Sequence, residues 1–288
     1  MFPGFFPLSV LWTLQWSSLM SDLVVAGVLG IVEGITEFLP VSSTGHLIVA
    51  GTFLDFSGDK AACFEIFIQL GAILAVVVLY WRRFLALIPS TGLRWGIEAG
   101  FSGVRGLALL AVTSAPAVVV GLLAHSYIKH HLFGPMTVAL ALGVGGVGIL
   151  LAEKFKPAPR VSDLDHLGYG QALLVGLFQC VSLWPGMSRA AATIIGGLFS
   201  GADRKTATEY SFLAAVPIMC AATMYSLYSD WRLLQASDFT FFAVGFVVSF
   251  VAAAVAVKTF IALVQRWSLA PYAWYRIVIA PLLYFLLR

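Results

Sequence analysis

The stretch Leu39-Pro40-Val41-Ser42-Ser43-Thr44-Gly45-His46 decides how the chain folds, because it interrupts an apolar region with proline, glycine, three hydroxyl side chains and a histidine. A second interruption, Trp184-Pro185-Gly186-Met187-Ser188-Arg189, lies within the apolar region 168–200. Non-helical backbone at membrane depth is tolerated only where it is buried in protein or lines a wet cavity. We therefore expect two re-entrant hairpins, each built from two helical arms that meet at a break.

The composition indicates a membrane protein. The 288 residues are 60% hydrophobic and only 11% charged, which leaves too few charges to coat a soluble domain. Each of six further apolar stretches is long enough to cross a hydrocarbon core of roughly 30 Å as a helix. These stretches are Cys63–Trp81, Gly106–Ala124, Pro135–Leu151, Glu209–Tyr228, Phe239–Val264 and Leu269–Leu287. The sequence thus predicts an all-α polytopic membrane protein with six transmembrane helices plus two re-entrant helical hairpins.

The basic residues orient these helices. Lys and Arg in short loops accumulate on the cytoplasmic side, and here they cluster in the connections 82–105, 154–160, 204–205 and 266. Placing those connections inside leaves one basic residue in each alternate connection (Lys60, Lys129 and Arg232) and both termini outside. The net charge of +3 is small and scattered, which argues for topology signals and against binding of nucleic acid.

The two interrupted regions resemble each other. Gly30-Ile-Val-Glu33 parallels Gly176-Leu-Phe-Gln179, and Pro40-Val-Ser-Ser43 parallels Pro185-Gly-Met-Ser188. Because the first hairpin would enter from outside and the second from inside, the pattern predicts an inverted repeat with a binding site near the midplane. We divide one integral membrane domain into a first repeat (21–134) and a second repeat with a linker (135–288). Residues 1–20 form an N-terminal extension of open status, since Met20 is an alternative start.

Glu33 and Glu37 are four residues apart and therefore share one helix face. Acidic side chains inside a membrane are costly, and their usual reason is functional. We expect this pair to hold a divalent metal, Mg²⁺ or Ca²⁺, against substrate phosphates. The alternative is a carboxylate that is hydrogen-bonded between helices.

Ser42, Ser43, Thr44 and His46 follow the first break directly. Hydroxyls and free backbone N–H groups at a helix start form a cradle for anionic oxygen, and His46 is spaced to act as a base toward Ser43. Capping of the helix start by the hydroxyls would explain the same pattern.

Ser188, Arg189 and Thr193 form the corresponding cluster at the second break. The planar guanidinium of an arginine suits phosphate, and Thr193 lies four residues further on the same face. The alternative is that Arg189 extends its side chain to a lipid headgroup.

These residues carry a family resemblance. Glu33-Gly-Ile-Thr-Glu37-Phe-Leu-Pro-Val-Ser42-Ser43-Thr-Gly-His46 and Pro185-Gly-Met-Ser188-Arg189-Ala-Ala-Ala-Thr193 closely resemble motifs of the bacterial undecaprenyl-diphosphatase family, also called bacitracin-resistance proteins. The resemblance implies hydrolysis of undecaprenyl diphosphate to undecaprenyl phosphate and inorganic phosphate, which recycles the lipid carrier of cell-wall synthesis. It also implies a divalent-metal requirement and, in the bacterial inner membrane, a site that opens toward the periplasm.

Carried over by position, the resemblance assigns a role to each candidate residue. Glu33 and Glu37 would be the acidic pair, Ser43 the nucleophile and His46 its base. Arg189, Ser188 and Thr193 would clamp the phosphate.

One departure from the family pattern and one rival function stay open. The family's second motif usually reads Ser-Arg-Ser-Gly, whereas Ala190 and Ala191 follow Arg189 here, so we expect reduced or retuned activity. The rival is a transporter or flippase for a phosphorylated polyprenyl lipid, because inverted repeats with broken helices are common in transporters. A homodimer also stays open.

Overall fold

The computed structural model describes residues 8–89, 100–132, 134–230 and 238–286. Helices account for most of these residues. The α-helices in the described ranges are α1 (Leu8–Thr36), α2 (Ser43–Phe53), α3 (Asp59–Leu79), α4 (Trp81–Ala86), α5 (Gly103–Tyr127), α6 (Pro135–Phe155), α7 (Tyr169–Gln179), α8 (Arg189–Phe199), α9 (Arg204–Asp230), α10 (Phe239–Val264) and α11 (Ala270–Leu286). A π-helical turn, Ile128–Leu132, continues α5, and the 3₁₀ turns Leu164–His166 and Cys180–Leu183 flank α7.

Five of the described helices, α3, α5, α6, α9 and α10, are long and apolar enough to cross a membrane. They coincide with five of the six expected spans. The sixth, α11, has 17 residues, which is the lower end of the range for a spanning helix. The prediction of an all-α polytopic membrane protein is confirmed, while the count of six spans and the inverted arrangement stay predictions.

Both predicted breaks are present. The first separates α1 from α2 between Thr36 and Ser43, and the second separates α7 from α8 between Gln179 and Arg189, with a 3₁₀ turn at its start. The arms differ in length more than expected, because α1 has 29 residues and α7 only 11. Helix α1 also runs without interruption through Met20.

The two breaks end in the same local structure. Ser42 and Ser188 have φ angles of 74° and 69°, and each caps an 11-residue helix by accepting a hydrogen bond from the backbone N–H three residues later. Ser42 is therefore the counterpart of Ser188, and Arg189 is the counterpart of Ser43. The pairing of Ser43 with Ser188 expected from the sequence was wrong by one residue.

Each hairpin packs against a span of the other half. Helix α1 packs mainly on α10, and α7 packs mainly on α5 and α8. Glycines permit this close approach: a Cβ on Gly30 would lie 2.7 Å from the backbone oxygen of Gly245, and one on Gly176 would lie 2.5 Å from that of Thr113. Small residues at such positions let membrane helices pack with their backbones in contact. This packing brings the two breaks into one region of the molecule.

Candidate active site

A small polar cavity lies where the two breaks meet. Its volume is about 160 Å³. Both breaks contribute to its lining, together with α3 and α9. The lining residues are Glu37, Ser42, Ser43, Thr44, Gln69, Ser182, Pro185, Gly186, Ser188, Arg189 and Met219. Six of the predicted site residues therefore share one cavity, although they come from segments about 150 positions apart.

A chain of hydrogen bonds crosses the cavity from one hairpin to the other. The hydroxyl of Ser43 donates to Oε2 of Glu37 at 2.6 Å. The other carboxylate oxygen, Oε1, accepts a hydrogen bond from Nη2 of Arg189 at 3.1 Å. Glu37 is buried, so this ion pair is poorly screened by water. The arrangement sets a hydroxyl beside a carboxylate that can accept its proton.

Arg189 is held in place from three sides. Its Nη1 donates to the backbone oxygen of Ser211 at 3.2 Å, and its Nη2 also contacts Sδ of Met219 at 3.2 Å. The guanidinium carbon lies 5.4 Å from the centre of the Phe38 ring, within the range of a cation–π interaction. Within the described part of the chain, Nε has no hydrogen-bond partner. Arg189 is thus fixed inside the protein and does not extend to a headgroup.

Two helix N-termini point at the same cavity. The lining includes the caps and first residues of α2 and α8, namely Ser42, Ser43, Ser188 and Arg189. The first N–H groups of a helix lack intrahelical acceptors and carry the positive end of the helix dipole. Together with the Arg189 cation, these two ends favour an anion such as phosphate.

Glu33 lies deeper than Glu37. It is buried, it lies within electrostatic range of Glu37 and Arg189, and its Oε1 has no hydrogen-bond partner among the described residues. An unpartnered carboxylate oxygen fits a hard divalent cation, and Mg²⁺ is usually held by one or two carboxylates plus substrate phosphates. The described residues contain no group of three or more His, Cys, Asp and Glu side chains that could hold a metal. The donor set therefore fits an ion shared with substrate better than a closed protein site.

His46 has partners other than Ser43. Its Nδ1–H donates to the backbone oxygen of Ser42 at 2.7 Å, and its Nε2 lies 2.6 Å from the hydroxyl of Tyr275 on α11. In neutral His46, with its proton on Nδ1, Nε2 therefore accepts a hydrogen bond from the Tyr275 hydroxyl. This geometry does not support the expected role of His46 as the base of Ser43.

Thr193 also lies outside the cavity lining. Its hydroxyl donates to the backbone oxygen of Arg189 at 2.8 Å and shares a hydrogen bond of 2.6 Å with the hydroxyl of Ser211. Because the backbone oxygen of Ser211 also accepts a hydrogen bond from Arg189, Thr193 stabilises the position of Arg189 through Ser211. Direct contact of Thr193 with phosphate is not supported by this geometry.

Ala190 and Ala191, where the chain departs from the family motif, face the apolar core. They are 0% and 3% exposed and pack in the cluster that contains Phe38 and Phe212. Neither lines the cavity. A serine at position 190 would therefore not reach the phosphate site, so this geometry does not support the expectation that the two alanines reduce activity.

Sequence reasoning missed several residues that shape the site. They are Ser182, Met219, Ser211, Tyr275 and Arg276, none of which was a candidate. Arg276 is 0% exposed and lies within the apolar helix α11. A charged residue in such a span is the one signal that could have singled it out.

The fold and the cavity together define the class of protein. It is a multi-pass membrane protein in which a serine, a carboxylate and an arginine line one cavity between two broken helices. Comparison with known proteins agrees. Residues 26–282 match the family described as bacitracin resistance protein BacA. The chain belongs to this family, as its motifs indicated.

Three bacterial relatives named undecaprenyl-diphosphatase match nearly end to end. The protein of Nitratidesulfovibrio vulgaris is 58% identical over 267 residues, covering 92% of this chain and 98% of the relative. That of Maridesulfovibrio salexigens is 57% identical, with 92% and 99% covered. That of Solidesulfovibrio magneticus is 54% identical, with 92% and 98% covered.

Proposed function

We propose that this protein hydrolyses undecaprenyl diphosphate to undecaprenyl phosphate and inorganic phosphate. The observation that carries the proposal is the chain Ser43–Glu37–Arg189, which joins a nucleophile, a proton acceptor and a phosphate-binding cation across one cavity. The names of the relatives support the same substrate. Phosphoryl transfer needs mainly positioning and charge stabilisation, and this cavity supplies both.

In the first step, Oγ of Ser43 attacks the terminal phosphorus in line with the bridging oxygen. A bond forms between Oγ and phosphorus, the bond from phosphorus to the bridging oxygen breaks, and undecaprenyl phosphate leaves. The proton of Ser43 passes to Glu37, which already accepts its hydrogen bond. Arg189 and the N-termini of α2 and α8 stabilise the charge on the equatorial oxygens.

In the second step, the oxygen of a water molecule forms a bond to phosphorus and the bond from phosphorus to Oγ of Ser43 breaks. Inorganic phosphate leaves with the protons of that water, and Oγ takes up a proton to regenerate the serine. Glu37 lies where it can return the proton that it received. A variant has Ser43 bind the phosphate while water, activated by Glu37, attacks directly.

The sequence predicts that Glu33 and Glu37 hold a divalent metal, with Mg²⁺ or Ca²⁺ as the candidates. In this cavity Glu33 would hold the ion, while Glu37 accepts the proton of Ser43. When bound, such an ion neutralises charge on the diphosphate and orients its oxygens. Glu33 has the spare oxygen for this task, whereas both oxygens of Glu37 are engaged by Ser43 and Arg189.

The substrate need not leave the lipid phase, because the cavity lies among membrane helices and the prenyl tail can extend between them. As the family resemblance implies, we expect the protein in the bacterial cytoplasmic (inner) membrane with its site open toward the periplasm, and the loop charges support the orientation of its helices. A homodimer is compatible with this arrangement.

Phosphate release by purified protein tests the proposal. Protein in detergent with undecaprenyl diphosphate and Mg²⁺ should release phosphate, and Ser43→Ala should lower kcat by about 10³-fold or more, the scale on which loss of a nucleophile acts. Ser200→Ala is a matched control, because the Ser200 hydroxyl donates to Gly197 at the far end of α8. A trapped phosphoserine at position 43 would select the covalent route, and full activity of Ser43→Ala would exclude it.

The same preparation separates the enzyme from the rival transporter or flippase. Vesicles that contain the protein and a labelled polyprenyl diphosphate report movement between leaflets, while free phosphate reports hydrolysis. Movement of the label without any phosphate release would reject the hydrolase.

A further inference from the structure

Arg276 of α11 is an intramembrane cation with an unusual set of partners. It is 0% exposed, and its hydrogen-bond acceptors among the described residues are all backbone carbonyls. The five bonds run to Leu142 (Nε, 3.0 Å), Pro40 (Nη1, 3.2 Å), Met187 (Nη1, 3.0 Å), Ala141 (Nη2, 3.3 Å) and Gly186 (Nη2, 3.0 Å).

These acceptors belong to three different elements. Pro40 lies in the first break, Gly186 and Met187 lie in the second, and Ala141 and Leu142 belong to α6. Carbonyl groups in a break have no hydrogen-bond donor within a helix. Burying such a carbonyl without any donor costs free energy. A guanidinium has five N–H donors in a fixed plane, so this one side chain serves both breaks at once.

The chain also makes room for this side chain. A Cβ on Gly145 of α6 would collide with the guanidinium of Arg276. The glycine thus lets α6 approach close enough for the Ala141 and Leu142 carbonyls to accept their bonds.

We infer that Arg276 is a positioning residue that fixes the two breaks relative to each other, and thereby sets the distance from Ser43 to Arg189. The inference rests on the proposed function for what those two residues do. Pro40 is three residues before Ser43, and Met187 is two residues before Arg189. A shift between the breaks therefore displaces the nucleophile from the phosphate clamp, and a misplacement of about 1 Å can cost 10²-fold in rate.

Kinetics of Arg276→Lys give the first test. Lysine keeps the charge but has a single ammonium group that cannot reach five carbonyls in one plane. We expect kcat to fall about 10- to 100-fold while KM changes less than about 3-fold, because the prenyl tail and the Arg189 clamp remain. Arg204→Lys is the matched control, since Arg204 pairs with Glu153 and neither residue lines the cavity.

A distance measurement that does not depend on activity gives the second test. Thr44 and Val181 are exposed and flank the two breaks. Spin labels on Thr44→Cys and Val181→Cys, with Cys63, Cys180 and Cys220 replaced by alanine, report the distance between the breaks. Arg276→Lys should broaden or shift this distance distribution, and Arg204→Lys should leave it unchanged.

The outcomes separate this inference from the proposed function. If unaltered protein releases no phosphate but Arg276→Lys shifts the distance, the proposed function fails and the link between the breaks stands. If Arg276→Lys is folded with unaltered kcat and distance, the inference is wrong. Should Arg276→Lys fail to fold, Gly145→Ala crowds the guanidinium without removing it. That variant should then lower kcat and broaden the distance, and an unaltered result for both would also reject the inference.

Discussion

At the scale of single residues, Ser42 and Ser188 show how the site limits the choice of side chain. Both lie in the left-handed region of φ, where a non-glycine residue costs roughly 1–2 kcal/mol. Glycine would remove that cost, but it has no oxygen to cap α2 or α8, and a cap contributes about 1 kcal/mol. Strain of this kind is typical of functional sites. Serine keeps both the cap and a hydroxyl in the cavity lining.

Ala190→Ser tests whether the alanines of the second motif limit activity. Because position 190 is buried in the apolar core, the new hydroxyl would not reach phosphate, and we expect kcat/KM within about 2-fold of the unaltered protein. The hydroxyl must instead be satisfied within α8, at a cost of about 1 kcal/mol in stability. Phosphate-release kinetics and thermal unfolding in detergent measure the two effects.

Ala192→Ser is the control for Ala190→Ser, since Ala192 is another buried alanine on α8. Similar small losses of stability in both variants, without a change in rate, would fit the structure. A several-fold gain in rate specific to Ala190→Ser would contradict the structure and return position 190 to the phosphate site.

At the scale of elements, the position of Glu37 depends on how closely α1 approaches α10. A Cβ on Gly34 would lie 2.5 Å from the backbone oxygen of Ser249 and 2.7 Å from Cβ of Ala252. Glu37 begins the break only three residues later. Ser249 in turn donates to the backbone oxygen of Ile68 at 2.8 Å, which ties α10 to α3. A displacement of α1 would therefore reach the cavity.

Gly34→Ala should weaken both the fold and the reaction. The added methyl must push α1 away from α10, and overpacking of this kind costs about 1–3 kcal/mol. We expect a lower midpoint of thermal unfolding and a kcat reduced about 10-fold, because Glu37 moves relative to Arg189. Gly27→Ala is the control on the same helix, since a Cβ there meets nothing within 4 Å. Equal behaviour of the two variants would show that the α1–α10 contact does not position the site.

The elements also show what the sequence could and could not predict. The breaks were predictable because proline, glycine and hydroxyl residues concentrate where the helices stop. The role of Arg276 was not, because its acceptors are backbone carbonyls up to 236 positions away, and no side-chain motif marks a carbonyl. Spacing along α2 suggested His46 as the partner of Ser43 for a related reason, whereas the structure brings Glu37 from the preceding break onto the hydroxyl.

At the scale of the whole molecule, the ion pairs outside the cavity fall into two groups that agree with the topology expected from charge. Lys60 pairs with Asp238, and both lie in connections expected outside. Arg83 pairs with Asp165, and Arg204 with Glu153, all at connections expected inside. The basic residues of one loop can be counted without knowledge of the other loops, so the sequence alone indicates on which side of the membrane each loop lies. The two members of each ion pair could be identified only from the structure, because they depend on which loops lie next to each other.

Labelling of single cysteines can assign these ends to the two sides of the membrane. The starting variant lacks Cys63, Cys180 and Cys220, and single cysteines then replace exposed aromatic residues at the helix ends. At the end with Lys60 these are Phe53 and Phe239, and at the end with Arg204 they are Phe155 and Trp267. An impermeant maleimide added to spheroplasts should label the first pair, and the second pair only after lysis. The reverse pattern would place the end with Lys60 on the cytoplasmic side, and labelling that mixed the two pairs would contradict the two-ended fold itself.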